Sequence, residues 1–215
     1  MVCRNAWVSK GRPVGGPLAG NPVILVHGIL GQRHLYWNLF KHRLQQADIR
    51  YHDCVLPYGL LGDMRIAAGL LKEKVDNALR HDGAAKVDLV CHSAGGLVAR
   101  YYLMYLGGAQ HVERLITMGT PHQGTYFSYV LPVPLITIAK QTRPGSHFMA
   151  EINGEGAIPP GVKVWNLWSP IDGVVVPSHN SRLAGSKAIK LPWSTHWGFL
   201  WRRDVFQAVV DCLQK

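Results

Sequence analysis

The stretch Val87-Asp88-Leu89-Val90-Cys91-His92-Ser93-Ala94-Gly95-Gly96 constrains the fold of this chain more than any other. A short apolar strand ends in a serine set among small residues. Leu97, Val98, Tyr101, Tyr102 and Tyr105 then recur at helical spacing, which predicts a helix with one buried face. Reversing from strand to helix within a few residues holds the serine in a rarely populated backbone conformation. Bulk two positions to either side would clash, so Cys91 and Gly95 have to be small. The reversal lifts Ser93 Oγ clear of the sheet edge. It also aims the Ala94 N–H, at the positive end of the helix dipole, toward any oxyanion formed there.

The five residues Cys91-His92-Ser93-Ala94-Gly95 follow the G-x-S-x-G pattern of a nucleophile elbow, with cysteine in place of the first glycine. Taken alone, such a match also describes an ordinary tight strand-to-helix turn. The remaining parts of a site must therefore be present elsewhere, in a workable order.

Residues 1–21 are rich in Gly and Pro and read as an irregular arm. Pro22 to Val26 is a continuous apolar run, as expected for a central parallel strand buried on both faces. It leads into His27-Gly28-Ile29-Leu30-Gly31, where glycines let the backbone turn sharply and approach a ligand. Trp37, Leu39, Phe40 and Leu44 predict a helix, Ile49 to Leu56 a second strand, and Met64 to Arg80 a helix with Ala67, Leu71, Val75 and Ala78 on one face. The strand before Ser93 is third, Arg114 to Met118 fourth, Lys163 to Trp168 fifth and Lys187 to Leu191 sixth. A last helix carries Val205, Phe206, Val209, Val210 and Leu213. Strands alternating with helices imply a parallel sheet with right-handed crossovers. At 215 residues, with 47% hydrophobic and 17% charged, the expectation is one globular domain over 1–215.

In such a sheet all strand C-terminal ends share one edge, where ligands bind. The polar, glycine-flanked clusters at 27–31, 91–96, 119–124, 172–173 and 195–198 all fall on that edge. A serine hydroxyl needs a base within hydrogen-bond reach, and the base needs a carboxylate to fix its tautomer. In this topology the order is serine, acid, histidine. Of the carboxylates after Ser93, only Asp172 lies just past a predicted strand; Asp204 and Asp211 belong to the last helix and Glu113 precedes its strand. Asp172 also reads as a plain turn residue in Ile-Asp-Gly. Only His179 and His196 follow it, and His196 is preferred because it comes after the final strand. His92 should point away from the nucleophile, while His27 and His122 should hold loops. The Ala94 N–H needs a second oxyanion donor from the loop after the first strand; Ile29 N–H is the choice, with Leu30 as its neighbour.

Val26 to Gly31, Cys91 to Gly96, Gly119-Thr120-Pro121-His122-Gln123-Gly124, Asp172 and Thr195-His196 together resemble the bacterial triacylglycerol lipases and esterases of the α/β-hydrolase superfamily, over about residues 22–213. The resemblance implies a minimal α/β-hydrolase fold: about six mostly parallel strands, helices on both faces and a short lid-like insertion between the fourth and fifth strands. It implies Ser93 as nucleophile, Asp172 as acid, His196 as base and the Ile29 and Ala94 amides as oxyanion donors. It further implies a carboxylic ester with an apolar acyl group as substrate and no cofactor; no metal ligands are assigned, and the calcium-binding residues of larger lipases have no placed counterpart. The same machinery could serve an acyltransferase or thioesterase, and the fold alone could serve a binding protein. The segment 122–161 is the lid or cap position. Tyr126, Phe127, Tyr129, Val130, Leu131, Leu135, Ile136 and Ile138 make it either a hydrophobic flap or an extra helix packed on the core.

The formal charge of +10 would favour transient contact with an anionic lipid interface. No basic run with interleaved aromatics appears, so nucleic acid is not an expected partner. Cys3, Cys54, Cys91 and Cys212 are far apart, without metal-ligand spacing; Cys54, Cys91 and Cys212 read as small hydrophobes, and the absence of a disulfide framework fits a reducing compartment. Met-Val-Cys-Arg-Asn-Ala-Trp has no apolar signal core. The cytoplasm is the expected location, or an exported one where a leader has been removed.

Overall fold

The structure is a computed structural model, described for residues 20–29, 35–56, 62–130, 137–154 and 158–215. Most of the expected arm at 1–21, Leu30, Gly31 and the lid residues Leu131, Leu135 and Ile136 lie outside the described residues.

Among the described residues six strands, β1 (Val23–Val26), β2 (Tyr51–Cys54), β3 (Val87–His92), β4 (Val112–Met118), β5 (Lys163–Trp168) and β6 (Lys187–Lys190), form one sheet in the order β2-β1-β3-β4-β5-β6. All five pairings are parallel. Alternation of side chains along each strand gives the sheet two apolar faces. Ile24, Val26, Leu89, Cys91 and Leu115 pack beneath α2 (Met64–Asp82) and α3 (Ala94–Tyr105). Val23, Leu25, Val90, Ile116, Trp165 and Leu167 pack against α1 (Leu35–Gln46), α6 (Gly198–Trp201) and α7 (Arg203–Leu213). The centre of the sheet is thus covered on both sides, which is why β1 and β3 are buried at every residue.

α2 begins where the Asp63 carboxylate accepts the Arg65 N–H and ends at Gly83 in the left-handed region, φ 62°. Its buried residues include Ala67, Leu71, Val75 and Ala78, the face its spacing predicts. Some details differ from the sequence reading: β2 covers Tyr51–Cys54 rather than Ile49 to Leu56, and two other differences involve α3 and β4. On α3, Tyr101 is only half-buried and Tyr105 is 47% exposed, because the helix emerges from under its neighbours in the last turn; Arg100 is buried there instead. β4 starts at Val112 rather than Arg114, with a register shift at Val87/Asp88, so Glu113 lies within the strand. There it meets Arg114 at 3.1 Å and Lys163 at 3.4 Å.

Between β4 and β5, α4 (Thr137–Gln141) and α5 (His147–Ile152) bury Ile138, Phe148, Met149 and Ile152 in the core. Tyr126, Tyr129 and Val130 of the preceding short helical turn are exposed. The described part of the 122–161 segment therefore combines both expected characters: a packed helical pair and an apolar outer rim. Among the described residues no helix is long and apolar enough to cross a membrane.

Candidate active site

β1 leads outward to β2, and the chain then crosses back to β3 on the other side of β1. Such a reversal of strand order opens a crevice at the strand C-terminal ends. Gly28 and Ser93 face each other across it. A methyl group on Gly28 would lie 2.6 Å from Ser93 Cβ and 3.1 Å from its Oγ.

Ser93 has φ 55° and ψ −131°, a strained conformation that only tight surroundings maintain. Ser93 N–H donates to the Met118 carbonyl at 2.9 Å, and Thr120 Oγ1 donates to the Ser93 carbonyl at 2.8 Å. Gly95 has no room for a side chain: a Cβ there would meet the carbonyl oxygens of Val26 and His27 at 2.6 and 2.7 Å. Cys91, the departure from the elbow pattern, is fully buried in the α2/α3 face of the core. Burial pushes its thiol well up, and pushes that of Cys54 up to about 12 and that of Cys212 up to about 11, so all three are inert small hydrophobes at neutral pH.

Three side chains named from the sequence meet at this edge. His196 Nε2 lies 3.0 Å from Ser93 Oγ, and His196 Nδ1 lies 3.0 Å from both carboxylate oxygens of Asp172. Asp172 is buried, and its Oδ1 also accepts the N–H groups of Val174 and Val175 at 2.9 and 3.0 Å. The carboxylate is therefore fixed by its own loop before it meets the imidazole. Its acceptor oxygens require a proton on Nδ1, which leaves the Nε2 lone pair facing the serine hydroxyl. That is the protonation pattern a general base needs. Gly119, φ 56°, clears space for this loop, since a Cβ there would sit 2.9 Å from Asp172 Oδ2.

Ala94 is the first residue of α3, so its N–H is one of the free amides at the start of the helix. Ile29 follows Gly28 directly; its side chain is half-buried and packs against the core rather than standing free in the crevice.

The three other histidines in the strand-end motifs, His27, His92 and His122, divide clearly. His27 accepts the Leu56 N–H on Nε2 at 3.0 Å, which ties the loop after β1 to the end of β2. His122 Nε2 is 3.0 Å from Thr117 Oγ1, and burial pushes this imidazole well below its usual range. His92 makes a contact the sequence reading did not include: its ring packs 4.7 Å from the His196 ring, with Nε2–H donating to the His196 carbonyl at 2.8 Å. Burial, with the His196 ring beside it, pushes His92 down to about 3. Adjacency to a nucleophile gave no sign of this contact, because the partner lies 104 positions away. Thr120 and Gly28 lie in clusters the sequence marks, but their contacts with Ser93 come from the packing.

The family profile described as a domain of unknown function, DUF7379, matches residues 8–129. A triacylglycerol lipase of Pseudarthrobacter phenanthrenivorans is 34% identical over 113 residues, covering 50% of this chain and 35% of its own length. A triacylglycerol lipase of Burkholderia plantarii is likewise 34% identical over 113 residues, covering 50% of this chain and 31% of its own. The chain thus spans about a third of the length of these curated relatives. The mature form of Bacillus licheniformis lipase BlEst2 superposes with a TM-score of 0.81 at 21% identity, over 94% of this chain and 96% of that one. The six-stranded parallel sheet with helices fits that likeness, and the fold is that of an α/β-hydrolase. This chain belongs to the DUF7379 family.

Proposed function

We propose that this protein is a serine carboxylic-ester hydrolase of the lipase and esterase type, with Ser93 as nucleophile, His196 as base and Asp172 as its orienting carboxylate. The observation that carries this reading is the unbroken run of contacts from Asp172 through His196 to Ser93, each at 3.0 Å, on a serine held at φ 55°.

Ser93 Oγ attacks the ester carbonyl carbon while its proton passes to His196 Nε2. The carbonyl oxygen takes up negative charge, which the amides of Ala94 and Ile29 stabilise. The carbonyl re-forms as the bond to the alcohol breaks, and His196 returns its proton to the leaving alkoxide. An acyl-serine remains. Water, deprotonated by His196, attacks it, and collapse of the second intermediate releases the carboxylic acid and restores Ser93. Every proton is returned and no oxidant or cofactor enters.

An apolar acyl group suits the surroundings. Tyr126, Tyr129, Val130, Ile171 and Val176 are exposed large hydrophobics, and the Tyr126 N–H donates to the Val176 carbonyl at 2.8 Å beside the Asp172 loop. The test is hydrolysis of p-nitrophenyl esters of increasing chain length, together with fluorophosphonate labelling mapped by mass spectrometry. The expected result is an adduct on Ser93 and loss of both turnover and labelling in Ser93→Ala. Equal turnover in the variant would exclude Ser93 as nucleophile.

A further inference from the structure

We propose that His52, His81 and Asp82 form a binding site for one zinc ion, joining edge strand β2 to the C-terminal end of α2. This goes beyond ester hydrolysis and is spatially separate from it. β2 pairs with β1 as Tyr51 with Val23 and His52 with Ile24, so His52 lies in the N-terminal half of the strands, whereas Ser93 stands past their C-terminal ends.

The three side chains already converge. His52 Nε2 lies 2.7 Å from Asp82 Oδ2, and His81 Nδ1 lies 2.8 Å from Asp82 Oδ1. One ligand atom from each residue falls within 4.8 Å of the others. The two rings meet edge-on, centroids 5.8 Å apart and planes at 83°, so their nitrogens approach the carboxylate from different directions. Two imidazoles and one carboxylate form the donor set of many three-ligand zinc sites, with water in the fourth position. Zinc–ligand distances of about 2.0–2.2 Å require the ligand atoms to lie roughly 3.3 Å apart. The nitrogen–oxygen separations therefore open slightly and the two nitrogens draw together. Each ring adopts the tautomer whose lone pair faces the ion.

The Asp82 and His52 side chains are held at 3% and 20% exposure, while His81 is 70% exposed, which leaves solvent space for its ring to adjust. That exposure also leaves the fourth position open to solvent. The carbonyl end of a nineteen-residue helix adds a favourable field for a cation. Opposing it, Arg50 Nη1 lies 3.5 Å from Asp82 Oδ1 and competes for the carboxylate. Arg50 therefore limits affinity, and this gives the site a distinctive signature: removing a neighbouring cation tightens binding.

The experiment is calorimetric titration of the intact protein with zinc chloride, paralleled by cobalt(II) visible spectroscopy and thermal melts. The expected result is one saturable equivalent, tetrahedral cobalt bands and a melting temperature raised by the metal. His81→Ala, a surface change that leaves the fold in place, should weaken binding at least tenfold, and His52→Gln should do the same. Arg50→Gln should tighten it several-fold, and Ser93→Ala should bind like the parent. Absence of saturable binding, undiminished affinity in His81→Ala, or weaker binding in Arg50→Gln would each overturn the proposal.

Discussion

His92 Nε2–H donates to the backbone carbonyl of His196 at 2.8 Å, and the two rings lie 4.7 Å apart. The residue preceding the nucleophile thus fixes the backbone of the proposed base. Because burial pushes His92 down to about 3, it stays neutral and does not repel an imidazolium forming on His196.

His92→Phe keeps a ring of similar shape and removes the donor. The His196 loop then loses its anchor, and a shift of about 1 Å in a reacting group costs on the order of a hundredfold in rate. The expected outcome is a fall in kcat of tenfold to a hundredfold, with KM little changed, per site titrated with fluorophosphonate. A purely structural role would instead lower the fraction of titratable sites and leave the rate per site intact.

Gly28→Ala tests how closely the β1 loop approaches the serine. The added methyl would lie 2.6 Å from Ser93 Cβ, 3.1 Å from Oγ and 3.3 Å from the His92 carbonyl oxygen. Relief requires the hydroxyl, or the loop carrying the Ile29 amide, to move. A loss of about a hundredfold in kcat/KM is expected, with a melting temperature within a few degrees of the parent. Unchanged kinetics would show that the crevice is wider than the contact implies.

Asp172→Asn separates charge and tautomer from loop geometry. The amide oxygen can still accept the Val174 and Val175 N–H groups where Oδ1 does now. The amide NH2 then faces His196 Nδ1 and donates to it, so the imidazole proton moves to Nε2. His196 no longer accepts from Ser93. The expected fall in kcat is roughly ten-thousandfold with little loss of stability. Alkaline pH should not rescue it, since the tautomer and not the charge state of the ring is wrong.

The strands were legible because central parallel strands are continuous apolar runs bounded by polar ones: Lys163 to Trp168 is read without error and β1 to within one residue. The polar clusters at strand ends were legible because topology alone gathers them at one edge. What the sequence did not carry depends on tertiary contact. Tyr105 keeps helical spacing yet emerges at 47% exposure, since periodicity cannot tell where a covering helix stops. Arg100 is buried, with its Nη2 donating to the Ile152 carbonyl at 2.5 Å, which no local pattern suggests. The His92–His196 contact spans 104 residues, and the Gly28–Ser93 approach is a matter of two loops meeting.

Stability should depend on pH with a sign set by three buried groups. Burial pushes His92 down to about 3 and His122 well below its usual range. Above about 6.5 both imidazoles are neutral, folded or unfolded, and contribute no slope. Below it the unfolded chain takes up a proton on each that the folded protein refuses, so stability falls as pH falls. Asp88 acts oppositely. Its burial outweighs Asn21 and Arg114 and raises its carboxyl to about 6, so between about 4 and 6 the folded protein keeps a proton that the unfolded chain has released. Two losses against one gain leave a net decline of about 1.4 kcal/mol per pH unit between about 6 and 5. Asp82 and Glu113, whose carboxyls are held low, add their losses only further into acid. Urea melts at stepped pH should show that decline, steepening to about twice the slope in Asp88→Asn and flattening in His122→Gln. A slope of the opposite sign would mean that the two imidazoles are protonated in the folded protein.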